Sequence, residues 1–239
     1  MARRAVDAGR RGDVDFLKIL KSLEDFVYEA LIWLVLLPQT LVRIVMHPRR
    51  MAAYAERELA RDDEQRFGDA ISPPLLLILC VLIAHLVDMA LRVPTPAEHN
   101  TLAEAVLSSE QNLLLYRTVA FGVWALVGAG WFLRGHRLDF NRTRLRGPFY
   151  EQCYLVAPFA LVQSIATSML LMGDRMLVYG MVLVPVATLW FWLAQIDWVR
   201  HRAGFRLRTS VLAATVTLVA GALVNAALGY VLLHVSVGP

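Results

Sequence analysis

Long apolar blocks alternate with charged stretches along this 239-residue chain. Five of the blocks have roughly the 17–25 residues that a helix needs to cross the hydrocarbon core of a bilayer. They cover about residues 73–93, 116–133, 153–172, 176–196 and 210–235. The first begins at Pro73 and Pro74, and proline is tolerated in the first turn of a helix. The pattern predicts an all-α polytopic membrane helix bundle, with five transmembrane helices in a domain over residues 71–239.

The N-terminal region follows a different pattern. Residues 1–13 are polar and are predicted to form a disordered cytoplasmic tail. From residue 14, apolar side chains recur at three- and four-residue steps, which indicates an amphipathic helix. Residues 26–46 are long enough to span, but Glu29 and Arg43 interrupt them, and a charge near the bilayer centre costs about 2.5–3.5 kcal/mol. We therefore expect cytoplasmic interfacial and charged helices over residues 14–70, with a sixth span as the alternative.

The distribution of basic residues predicts the orientation. The loop at residues 94–115 contains no arginine or lysine, whereas five arginines lie between spans two and three and four follow span four. Short loops rich in arginine and lysine stay in the cytoplasm. We therefore expect a cytoplasmic N-terminus and a C-terminus outside.

Composition supports a membrane protein and suggests its source. Hydrophobic residues make up 57% of the chain and the mean hydropathy is +0.51, against about 45–50% apolar residues in ordinary globular domains. The chain has 22 arginines, 2 lysines and a net charge of +4. Basic groups beside apolar spans favour membrane lipids, with anionic heads at the cytoplasmic arginine loops, over nucleic acid as the partner. Arginine-rich, lysine-poor usage is typical of GC-rich bacterial coding, so we predict the bacterial inner membrane.

Polar residues inside the spans are the first candidates for function. His85 and Asp88 lie three residues apart on one helix face, and Gln163 and Thr167 form a polar stripe in span three. Asn225 lies in span five. His85, Gln163 and Asn225 each stand about 10–15 residues from the cytoplasmic start of their span, so a shared intramembrane polar cluster is predicted. It is either a proton or ion site or a set of hydrogen bonds that hold helices together.

A second candidate site lies at the cytoplasmic start of span three, in RGPFYEQCY. Its charged residues are Arg146 and Glu151, and a carboxylate there suits a helix N-terminus. Cys80 and Cys153 lack metal-binding spacing, and no metalloprotease, esterase, phosphate-loop or dinucleotide motif occurs. We therefore predict no catalytic, cofactor or metal site and lean away from an enzyme.

Small residues form a ladder on one face of span five, at Thr217, Gly221, Asn225 and Gly229. Such ladders allow helix backbones to approach closely. The ladder is consistent with packing inside the chain and with a homo-oligomer through this face.

Three stretches suggest a family. The five-span layout, the proline-led first span SPPLLLIL and the polar–aromatic start of span three, FYEQCYLVAP, resemble the Yip1-like membrane protein family. The stretch TLVRIVMHPRRMAAYAEREL resembles bacterial members of unknown function. The resemblance covers about residues 40–235 and implies a five-span membrane protein with its N-terminal region in the cytoplasm.

Three classes of function stay open on these grounds. The favoured one is a non-enzymatic membrane module that binds lipid or partner proteins. The alternative is a small permease or channel, including one built as a homo-oligomer, and the third is a lipid-modifying membrane enzyme. A paired acid–base or metal cluster at one interface would favour the enzyme, and the sequence contains none.

Overall fold

The regular structure of the described chain is entirely helical. The structure is a computed structural model, and it describes residues 2–62, 65–91 and 110–234. The helices are α1 (Ala2–Met46), α2 (Pro48–Leu59), α3 (Pro73–Leu91), α4 (Glu110–Gly135), α5 (Arg142–Met172), α6 (Asp174–Arg202) and α7 (Leu207–His234). No strand occurs within these described ranges, so the prediction of an all-α bundle is confirmed.

α5 is the central helix of the bundle. It packs most extensively against α3, α4 and α6, and it also contacts α2 and α1. Every residue from Glu151 to Ala160 is buried, so other helices enclose this stretch on all sides. α7 lies at the periphery and packs against α4 and α6. A polar side chain on α5 is therefore placed to meet groups from several helices.

Large apolar side chains cover much of the outer surface. Val178 and Met181 on α6, and Leu212 and Leu223 on α7, are all more than half exposed. Water-soluble proteins rarely expose apolar surface on this scale. Within the described residues, the helices long and apolar enough to cross a membrane are Lys21–Met46, Pro73–Leu91, Gln111–Gly135, Arg142–Met172, Asp174–Arg202 and Leu207–Ala227. By the length and composition of these helices, the chain is a multi-pass membrane protein.

One of these six helices covers the segment that the sequence places in the cytoplasmic interface. Lys21–Met46 qualifies as a span by length and composition. Its outer face is apolar, with Leu34 72% exposed, whereas Thr40 and Ile44 near its end are fully buried. These features are compatible with a transmembrane and with an interfacial placement of α1, because an apolar face suits either lipid tails or the interface. The interfacial placement stays a prediction.

α1 is a single continuous helix. It begins at Ala2, so most of the segment predicted as a disordered tail, residues 1–13, falls within it. Alanine and arginine are strong helix formers, which favours a helix even where the sequence is polar. The helix also runs through Pro38 without ending.

α5 extends well beyond the span predicted for it. It begins at Arg142, ahead of the apolar stretch predicted as the span at about residues 153–172, and Asn141 caps its first turn. The Asn141 side chain accepts a hydrogen bond from the Thr143 backbone N–H at 3.0 Å, as a helix cap commonly does. Glu151 consequently lies inside the helix and not at its N-terminus.

The connection between α2 and α3 is tied to the bundle. The Ile71 N–H donates to Thr40 Oγ1 at 3.4 Å, and the Tyr154 hydroxyl donates to the Ile71 carbonyl at 2.8 Å. The Phe67 N–H donates to the buried Glu58 carboxylate at 2.8 Å. These bonds join the end of α1, α2 and α5 around the connection, so α2 and the end of α1 are packed against the spans.

Candidate functional site

A buried ion pair joins α3 and α4. Asp88 Oδ2 lies 2.5 Å from Arg117 Nη1, and the two side chains are 10% and 23% exposed. The Ser168 hydroxyl of α5 donates to Asp88 Oδ1 at 2.5 Å. A charged group in a membrane span needs such partners, because its desolvation is expensive. The carboxylate thus links three helices near the end of the bundle where α3 ends and α4 begins.

The other predicted polar residues are distributed differently. His85 is buried one turn before Asp88. Gln163 on α5 is partly buried, and Thr167 donates to its backbone carbonyl at 2.8 Å. Asn225 donates its amide to the Gly221 carbonyl of its own helix at 2.9 Å. α7 packs against α4 and α6, whereas α3 packs against α5, so Asn225 belongs to a different helix contact from His85 and Gln163.

Arg117 and Ser168 are the partners that sequence reasoning missed. Arg117 lies near the start of the predicted second span, and Asp88 lies near the end of the first. Two consecutive spans run in opposite directions, so these opposite charges share a depth. Two opposite charges at the same depth in consecutive spans indicate an ion pair, and this pattern can be read from the sequence.

A second buried carboxylate lies toward the opposite end of the bundle. Glu151 is fully buried and accepts a hydrogen bond from Trp198 Nε1 at 2.8 Å. Arg202 Nε donates to its two oxygens at 3.0 and 3.1 Å. Arg202 also pairs with Glu56 of α2 and lies 4.9 Å from the centre of the Phe132 ring. Arg202 therefore joins α2, α5 and α6.

Arg146, the residue that the sequence grouped with Glu151, has a different position. Its guanidinium carbon lies 5.6 Å from the centre of the Tyr150 ring, a distance typical of a cation–π contact. Both residues line a cleft of about 500 Å³. The partner of Glu151 is thus Arg202, and Arg146 contributes to a separate feature.

The cleft lies between α1, the connection before α3 and the first turns of α5. Trp33 and Leu36 of α1 and Leu75 of α3 supply apolar lining. Arg66 and Arg146 supply positive charge on the other side. Arg66 is held by hydrogen bonds from Nε and Nη2 to the carbonyls of Arg61 and Leu59, at 2.9 and 3.2 Å respectively. An apolar wall beside two guanidinium groups suits an amphipathic ligand with an anionic head.

The surface of α2 beside the cleft is also polar. The Tyr54 hydroxyl donates to the Asp69 carboxylate, and Arg43 Nη1 donates to the Asp69 carbonyl at 3.1 Å. Burial and the hydrogen bond to Asp69 raise the pKa of Tyr54 above its ordinary value. The phenol therefore remains a hydrogen-bond donor at neutral pH and keeps the connection attached to α2.

The small-residue face of span five packs partly inside the chain. Trp131 Nε1 donates to Thr217 Oγ1 at 2.9 Å, and Thr217 is fully buried. A Cβ atom added at Gly221 would overlap the Trp124 ring. This stretch of the ladder therefore allows α7 to approach α4.

Within the residues that the structure describes, no group of three or more histidine, cysteine, aspartate or glutamate side chains is arranged to hold a metal ion. Comparisons of the chain with protein-family models, curated proteins and solved structures found no match.

Proposed function

We propose that this chain is a non-enzymatic membrane module that binds a phospholipid in the cleft lined by Trp33, Leu36, Arg66 and Arg146. The observation that carries the proposal is that apolar side chains of α1 and two arginines line the same cleft of about 500 Å³. The proposal places the cleft at the cytoplasmic side of a bacterial inner membrane, with the C-terminus outside. Membership of the Yip1-like family stays a prediction.

The chemistry of the cleft fits the two parts of a phospholipid. Guanidinium groups recognise phosphate through several N–H donors in a planar arrangement. Trp33 and Leu36 offer apolar surface to the glycerol and the first methylene groups of the acyl chains. Basic pockets between membrane helices on the cytoplasmic side bind lipid headgroups, and a basic side chain near an anionic membrane surface contributes about 1 kcal/mol.

Lipid binding to the delipidated protein tests this proposal. Native mass spectrometry should show that the protein in neutral detergent binds phosphatidylethanolamine and phosphatidylglycerol more tightly than diacylglycerol, which lacks the phosphate. Arg146→Ala should weaken phospholipid binding about fivefold, the equivalent of about 1 kcal/mol. Leu36→Ala should also weaken it, because the apolar wall becomes smaller.

Two matched variants serve as controls. Arg144 is exposed, lies two residues before Arg146 without lining the cleft, and approaches Asp139 at 3.7 Å. Leu34 is exposed on α1 and does not line the cleft. Arg144→Ala and Leu34→Ala should bind phospholipid as the wild type does. Equal binding of diacylglycerol and phospholipid would overturn the proposal.

A second candidate function, a small permease or channel, is favoured by one observation. The Asp88–Arg117 pair is ionisable and lies inside predicted spans, and intramembrane charges commonly mark ion or proton pathways. Proteoliposomes that contain a pH-sensitive dye test this candidate under an imposed proton gradient. Proton flux that Asp88→Asn abolishes would support a pathway, and flux equal to that of empty vesicles would exclude a proton pathway.

A further inference from the structure

The lining of the cleft contains a carboxylate as well as the two arginines. Glu29 lies on α1, and the arginines belong to the connection before α3 and to α5. The negative charge and the positive charges therefore come from different elements that border the same space. A ligand that fills the cleft meets both signs of charge.

From this arrangement we infer that the cleft selects an aminophospholipid, in which the phosphate binds Arg66 and Arg146 and the primary ammonium binds Glu29. The inference rests on the proposed function and adds the class of headgroup. An anionic headgroup without an amine leaves the Glu29 carboxylate beside the lipid without a cation. A zwitterionic headgroup supplies both charges, and like-signed contacts are avoided.

The kind of ammonium matters as much as its charge. A primary ammonium has three N–H donors, and a carboxylate forms strong, short hydrogen bonds with such donors. The quaternary ammonium of phosphatidylcholine has the same charge but no N–H group. The cleft should therefore discriminate between two zwitterionic headgroups that differ only in the methylation of the nitrogen.

The positive side of the cleft is held in position for this role. Arg66 is fixed by the two backbone carbonyls described above, and Arg146 lies over Tyr150. Side chains whose orientation is fixed before binding lose less conformational entropy when the ligand arrives. Specificity then depends on whether the amine can reach Glu29 while the phosphate stays on the arginines.

A methylation series tests the inference. Phosphatidylethanolamine, its N-methyl and N,N-dimethyl forms, phosphatidylcholine and phosphatidylglycerol, all with identical acyl chains, are titrated against the delipidated protein. Wild-type affinity should fall stepwise by about fivefold or more from the primary to the quaternary amine, and phosphatidylglycerol should bind more weakly than phosphatidylethanolamine. Glu29→Gln should abolish the preference for the primary amine and strengthen the binding of phosphatidylglycerol.

Glu24→Gln is the matched control, because Glu24 is exposed on the same helix and does not line the cleft. It should retain the wild-type order of affinities. Equal wild-type binding along the methylation series, or a preference that survives Glu29→Gln, would overturn the inference and leave the phospholipid module standing. Equal binding of lipids with and without a phosphate group would refute the proposed function instead. The free headgroup, glycerophosphoethanolamine, should bind more weakly than the lipid, and equal binding would assign the cleft to a soluble phosphate ester.

Discussion

The Asp88 carboxylate on α3 lies 2.5 Å from the Arg117 guanidinium on α4. Ser168 of α5 donates to the same carboxylate, so three helices meet at one buried negative charge. Removing one member of a buried ion pair leaves the other charge without compensation, and this costs more than removing both. The pair is therefore a sensitive point in the packing of the bundle.

Replacing Arg117 alone should destabilise the protein strongly. Arg117→Met leaves the buried Asp88 carboxyl without its cation, which is expected to cost about 3–5 kcal/mol of unfolding free energy. The double variant Asp88→Asn with Arg117→Gln should recover much of the loss. Thermal unfolding in detergent measures the effect, and Arg134→Met, an exposed position on the same helix, is the control. A double variant whose loss of stability equals the sum of the losses in the two single variants would contradict the ion pair.

Replacing Arg202 should loosen α2 from the bundle. Arg202→Gln removes the group that joins Glu56 to the buried Glu151. We expect a lower melting temperature and faster tryptic cleavage in the arginine-bearing connection after α2. Arg200→Gln, at an exposed neighbouring position, should change neither measurement. If both variants are cleaved at the wild-type rate, Arg202 does not hold α2.

Gly221 and Gly122 should respond differently to alanine. A Cβ atom at Gly221 overlaps the Trp124 ring, whereas a Cβ atom at Gly122 meets nothing within 4 Å. Gly221→Ala should lower stability by about 1–3 kcal/mol, as overpacked cores do, and should shift the tryptophan fluorescence. Gly122→Ala should be neutral or slightly stabilising. Equal stabilities of the two variants would mean that the Trp124 ring does not pack against Gly221.

The topology can be mapped with fusions to a reporter that is active only outside the cytoplasm. Fusions at about residues 105 and 239, which lie outside the described residues, should be active. Fusions at about residues 140 and 204 and at the N-terminus should be silent, because the basic loops stay inside. Activity at residue 140 would reverse the orientation. Activity at the N-terminus, with residue 140 silent, would show that α1 crosses the membrane.

The helices of the bundle are predictable from hydropathy, but their ends are not. The prediction starts the first span at Pro73, where α3 begins, because two prolines and an apolar run mark the position. α5 begins at Arg142, before the apolar stretch predicted as the span, because a capping asparagine and not hydrophobicity sets its start. Hydropathy reports which part of a helix is apolar, so it does not predict polar turns at either end of the helix.

Partners between helices are harder to predict than the helices themselves. The sequence marks Asp88 as a polar residue inside a span, but pairing it with Arg117 and Ser168 requires knowing that α3, α4 and α5 are neighbours. Glu151 was likewise singled out, but its partners Trp198 and Arg202 lie on α6. Periodicity describes one helix at a time, and the choice of neighbours depends on the fit of whole surfaces. The cleft depends on that choice too, because its walls come from three separate elements.

The link between α5 and α6 constrains how the chain enters a bilayer during synthesis. Gly173 is the single residue between the two helices and adopts a φ of 70°, a conformation that suits glycine. So short a link cannot reach across a membrane. Neither helix can therefore take up a transmembrane position before the other one does. The two must be inserted side by side as one hairpin. In the predicted orientation the tip of this hairpin crosses the membrane, and it holds Asp174 and Arg175, whose opposite charges keep its net charge at zero.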